Sequence, residues 1–138
     1  MKRQFIIGVI ALLLTSCQAV SDHQRLQTFI LGTWKVEYIM GLPIIDRSNA
    51  TLNFSEGNKV TGNNSCNNFF GKYSVEGNKV KLIHANMGST KMMCIESLMR
   101  QADLVENVIL LVTTAEIKAG RLNLFDYEGK SLLILSRV

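Results

Sequence analysis

Cys66 and Cys94 are the two cysteines in the body of the chain, and a thiol would be its strongest nucleophile. Their separation is not that of a C-x-x-C redox motif, and two cysteines alone do not make a zinc site. We favour a disulfide staple tying a strand region to the start of a helix. A reduced, buried pair of small hydrophobes and a reactive Cys94 thiol at a helix N-terminus are the alternatives, although no general base is identifiable beside Cys94. His84, Met87, Met92, Met93, Cys94 and Met99 form a segment rich in soft ligands, of the kind that selects Cu(I). Methionine also fills gaps in cores, Met99 belongs to an apolar helical stripe, and a disulfide would withdraw Cys94. We therefore expect Met87, Met92 and Met93 to serve packing or a loop, with a Cu(I) or small-molecule site as the second reading. Asn63, Asn64, Ser65, Asn67 and Asn68 crowd around Cys66. Such amides could hold a sugar, but Asn side chains more often bond the nearby backbone in turns, and that role is expected here. His84 stands alone, because His23 lies in a polar N-terminal stretch, and Asp46, Asp103 and Asp126 show no motif spacing. No Gly-rich phosphate loop occurs either. No catalytic, cofactor or metal residue is assigned, and the chain is expected not to be an enzyme.

The third cysteine belongs to a different setting. Lys2-Arg3 is followed by an uninterrupted apolar run, Phe5 to Leu14, and then by Thr15-Ser16-Cys17. Crossing the hydrocarbon takes about 20 apolar residues, and this run is about half that, which fits a signal-peptide core. Leu14-Thr15-Ser16-Cys17 resembles the lipobox of bacterial lipoproteins. Residues 1–16 are accordingly read as a lipoprotein signal peptide, Cys17 as the lipidated N-terminus, and residues 17–27 as a polar tether. The globular domain is then 28–138. Gln18, unlike Asp at that position, does not resemble the inner-membrane retention signal, so the expected address is the outer membrane, facing the periplasm. An oxidising periplasm suits the staple. Loss of Lys2 and Arg3 with the leader lowers the formal charge from +4 to +2, because no acid leaves with them. No Lys/Arg stripe remains to track phosphates, and nucleic acid is excluded as a partner.

The elements that must position these residues are mostly strands. Trp34 to Ile39 alternates apolar and polar with the period of a half-buried strand. Glu56-Gly57-Asn58-Lys59-Val60 recurs as Glu76-Gly77-Asn78-Lys79-Val80. Gly accepts the positive φ that a type II′ turn needs at its first central position, so both copies are read as hairpin turns. Thr51–Ser55 should pair with Lys59–Asn63, and Phe70–Val75 with Lys79–Ile83. From Cys94 to Val112 the spacing predicts a helix, with Ile95, Leu98, Met99, Ala102, Val105, Ile109 and Val112 on one apolar stripe. Strands resume at Ala115–Lys118, Arg121–Tyr127 and Ser131–Ser136. The expected class is α+β: a curled antiparallel sheet of hairpins, barrel-like, with one main helix on a face or across an end.

Gly32-Thr33-Trp34, Val60-Thr61-Gly62, Cys66-Asn67-x-Phe69-x-Gly71-x-Tyr73, Thr90-x-Met92-x-Cys94 and Leu122-x-Leu124 together resemble the META domain, as in the HslJ-type heat-shock lipoproteins of the bacterial envelope. Ser65 stands where the family often has glycine, and Ile95 where it often has proline. The resemblance implies the curled sheet with a packed helix and marks Asn67, Phe69, Gly71, Tyr73, Thr90 and Met92 as motif residues. It implies no reaction. The expected function is a non-catalytic envelope module, linked to envelope stress, that touches the membrane through its lipid and binds a protein or lipid-like ligand. A thiol-dependent enzyme at Cys94 is the least favoured alternative.

Overall fold

The computed structural model describes residues 22–138, so the signal-peptide reading and Cys17 lie outside the described residues. The first element is a helix, α1 (Asp22–Phe29), over much of the stretch read as a tether. Leu26 and Ile30, one turn apart, are buried in the core, which polar composition alone did not betray. Ten strands follow: β1 (Gly32–Ile39), β2 (Leu42–Pro43), β3 (Thr51–Ser55), β4 (Lys59–Asn63), β5 (Asn68–Glu76), β6 (Lys79–Leu82), β7 (Gly88–Ser89), β8 (Thr114–Lys118), β9 (Arg121–Phe125) and β10 (Ser131–Arg137). A short 3₁₀ turn, His84–Asn86, precedes β7, and the main helix α2 (Glu96–Ile109) precedes β8.

β3, β4, β5 and β6 form the expected meander, each antiparallel to the next. The sheet then runs through β8, β9 and β10, and β10 pairs back onto β1, which pairs with β3. The result is a curled ring whose thin seam lies between β6 and β8, joined through the single register pair Lys79 and Thr114. The fold is α+β, with β2 and β7 added to the rims of β1 and β5. Inward residues of both halves, including Trp34, Phe54, Val60, Val80, Leu122, Leu124 and Leu135, make one core. Each is an apolar side chain on the inner face of an alternating strand, and burying one fully contributes about 1.5–3 kcal/mol.

The helices occupy opposite ends. α1 meets the ring where Trp34 Nε1 donates to the Ile30 carbonyl at 2.7 Å, and Arg137 closes that end by donating to the Leu31 and Phe29 carbonyls. α2 lies across the other end, with Ala102, Val105, Val108 and Ile109 buried. It starts later and stops earlier than the periodicity suggests. Ile95, counted in the apolar stripe, is exposed outside the helix, while the polar Gln101 is buried within it.

Two strand details depart from simple alternation. A register shift between Val36 and Tyr38 makes Glu37 a bulge, which turns Ile39 inward and leaves Tyr38 partly exposed. The duplicated Glu-Gly-Asn-Lys-Val segments adopt different turns. Gly77 alone has positive φ in a two-residue connection between Glu76 and Lys79, in keeping with type II′. In the first copy both Gly57 and Asn58 have positive φ within a three-residue connection between Ser55 and Lys59, so the type II′ expectation is corrected there.

Candidate functional site

The motif residues converge on the α2 end of the ring. Asn67 follows Cys66 in the β4–β5 connection, and its Oδ1 accepts from Thr90 Oγ1 at 3.0 Å and from the Met92 backbone N–H at 2.6 Å. Thr90 Oγ1 in turn accepts from the Asn68 N–H at 3.2 Å, and the Thr90 N–H donates to the Asn68 carbonyl at 3.0 Å. Residues 90–92 are thereby sewn to the start of β5. Two residues further on, Cys94 forms a disulfide with Cys66, with Cα atoms 5.9 Å apart. The staple is present, and it removes the free thiol that a Cys94 enzyme would need.

Asn64 organises the turn beneath this clamp. Its Oδ1 accepts from the N–H groups of Cys66 and Asn67 at 3.0 and 2.6 Å, and Asn63 Oδ1 accepts from the Ser65 N–H at 2.8 Å. The asparagine cluster is therefore a turn-building device, as the residue types suggested. Asn64 Nδ2 also reaches α2, donating to Glu106 Oε1 at 2.7 Å. A buried network lies on the other side. Gln101 Nε2 donates to Ser48 Oγ at 2.5 Å and to Ser65 Oγ at 2.7 Å, while its Oε1 accepts from the Ile45 N–H at 2.8 Å. The sequence reading missed Gln101 and Ser48. The only available signal was a polar residue beside Ala102 on the helix's inward face.

These fixtures leave a groove between α2 and residues 84–93. Toward Leu110 it opens into a cavity of about 360 Å³ floored by Phe69 and Ile109, with His84 and Met87 on the facing wall. Toward Glu96 it continues as a cavity of about 440 Å³ lined by Asn67, Met92, Met93 and Met99. Lys91 and Glu106 line both parts. Gly71 belongs to the same construction, because a Cβ there would overlap Met87 Sδ and crowd the backbone of Asn86 and Met87. Tyr73, by contrast, is a core residue. Its ring meets Phe54 edge-on at 4.9 Å, its hydroxyl donates to the Ser55 carbonyl at 3.3 Å, and burial pushes its pKa above the usual phenol value. A roomier cavity of about 510 Å³ lies beside Arg25 and Phe29 at the α1 end, remote from every motif residue except through the shared core.

The groove lacks the marks of catalysis. His84 is exposed on the rim, the thiols are paired with each other, and among the described residues no three His, Cys, Asp or Glu side chains gather as a metal cluster. Among those residues no helix is long and apolar enough to cross a membrane. The groove offers an apolar floor and a few fixed polar groups.

The family model for the META domain matches residues 26–138. No curated protein matches the sequence. Among solved structures, a protein from Burkholderia xenovorans determined by NMR is 17% identical, with a TM-score of 0.64 over 83% of this chain and 87% of that one. A DUF4847 family protein from Bacteroides vulgatus ATCC 8482 is 16% identical, with a TM-score of 0.56 over 83% of this chain and 97% of that one. At these identities the likeness is one of fold.

Proposed function

The chain belongs to the META domain family, and from that premise we propose that it is a non-catalytic envelope lipoprotein that binds a protein or lipid-like partner in the groove beside α2. Anchored through Cys17 on the periplasmic face of the outer membrane, it would serve as an interaction module during envelope stress. One observation carries the binding role: Asn67 and Met92 line the groove, while Gly71, Thr90 and the Cys66–Cys94 bond shape its wall. Phe69 and Tyr73, by contrast, lie in the core and serve the fold.

The partner reading is tested by photo-crosslinking in cells, followed by mass spectrometry. A crosslinker replacing Lys91 or Leu110, in the groove, should capture a defined partner, and one replacing Lys118, on the β8–β9 turn, should not. Equal capture from both faces would remove the groove from the account. The anchor is tested separately. Cys17→Ala should leave an uncleaved, unacylated precursor, and normal maturation of that variant into the outer membrane would end the lipoprotein reading.

A further inference from the structure

The Glu96 end of the groove is rich in methionine. Met92 and Met93 are apolar, yet they are 56% and 87% exposed, so of the two roles expected of them, packing or a loop, they take the loop between β7 and α2. With the half-buried Met99 they line the same cavity. Their backbone is held on both flanks, by the Asn67 bond to the Met92 N–H and by the disulfide at Cys94, next to Met93. Donors on a fixed backbone lose less freedom when a ligand arrives. The disulfide also removes both thiolates, leaving neutral sulfur as the soft donor set.

We propose that Met92, Met93 and Met99 form a binding site for a soft monovalent cation, Cu(I), for which Ag(I) serves as an analogue. Thioethers select such ions, whereas zinc prefers imidazole or thiolate and calcium prefers oxygen. The charged residues around the cavity are Lys91 and Arg100 against Glu96, Asp103 and Glu106, a net of −1 that does not repel a single positive charge. Arg100 is itself paired with Glu96 at 2.5 Å on the helix surface. The site shares Met92 with the proposed partner groove but is read out by metal binding alone, and no electron transfer is involved, because the metal binds and leaves in one oxidation state.

The test is a titration of the full chain, purified in detergent with its disulfide intact, using Ag(I) and Cu(I) against a competing chelator. One ion per chain should bind with submicromolar affinity, and X-ray absorption should report sulfur neighbours. Thioethers do not titrate, so affinity should stay constant from about pH 5 to about pH 8, the range in which a histidine ligand would change charge. Met92→Leu with Met93→Leu should weaken binding more than about tenfold, a loss of roughly 1.4 kcal/mol, and adding Met99→Leu should abolish it. Leucine keeps most of the bulk, so unchanged melting would show that the fold is intact. Met40→Leu, outside this cavity, should bind as the parent does. Affinity weaker than micromolar, full binding by the triple variant, or binding that rises as a histidine deprotonates would each overturn the assignment.

Discussion

At φ 104°, Ser65 holds a backbone conformation that side-chain-bearing residues rarely adopt. It also stands where the resemblance to the META domain implies glycine, for which the same conformation is free of Cβ strain. What holds a serine there is its hydroxyl, which lies 2.7 Å from Ser48 Oγ and accepts from Gln101 Nε2. All three residues are buried, so each lost partner leaves a polar group without water. Ser65→Ala keeps the strained backbone and loses the hydroxyl, and it should destabilise the protein by about 2 kcal/mol in urea unfolding. Ser65→Gly loses the same bonds but relaxes the backbone, and should be about 1 kcal/mol less damaging. Equal losses would show that the strain contributes nothing. The sequence displays Ser65 as a departure from the motif, but it does not display what compensates. Ser48 and Gln101 lie far from it in the chain and meet it only when α2 crosses the end of the ring.

Among the elements, the duplicated Glu-Gly-Asn-Lys-Val segment shows why local sequence determines a turn's location better than its type. Gly and Asn punctuate both copies, and the flanking strands pair as their alternation suggests. The turn types then diverge because the inward residue upstream differs: Phe54 lies two positions before Glu56, whereas Val75 lies one before Glu76. Phe54 must oppose Val60 and Val75 must oppose Val80, so the connections take three residues and two. Register, a tertiary property, therefore selects the turn. As a result, Asn58 has φ 59° while Asn78 stays outside the left-handed region. Asn58→Ala should cost about 1 kcal/mol, because alanine tolerates that region poorly, and Asn78→Ala should cost less than about 0.5 kcal/mol. Similar losses at the two sites would contradict the difference in backbone. The Glu37 bulge has the same origin. Periodicity reveals a strand from Trp34 to Ile39, but only pairing with β10 decides that Ile39 and not Tyr38 faces the core.

Across the whole molecule, the sequence made the sheet, the helix and the cysteine pair legible, because periodicity and motif spacing are local signals. The groove was not legible. Its walls come from α2, the 84–93 segment and the β4–β5 connection, which approach one another only once the ring has closed. The Cys66–Cys94 bond is the covalent tie between these parts, with a sequence separation of 28 that encloses the second hairpin and β7. Chain-entropy reasoning gives such a loop about 3–4 kcal/mol, a large share of the roughly 5–15 kcal/mol available to a small domain. Cys66→Ser and Cys94→Ser should each lower the melting temperature by about 10–15 °C. The double variant should melt close to the single ones, since either change alone breaks the bond. Additive losses would mean that each cysteine contributes separately and that the bond is not the source. The effect should also be uneven in space. Ladders on the far side of the ring, such as β9 with β10, do not depend on the bond, whereas residues 90–93 would keep only the Asn67 and Asn68 hydrogen bonds. Hydrogen exchange in the double variant should therefore accelerate most at the Met92 amide, well beyond the change at Leu122 or Leu124. Uniform acceleration across the chain would mean that the bond supports overall stability without setting the wall of the groove.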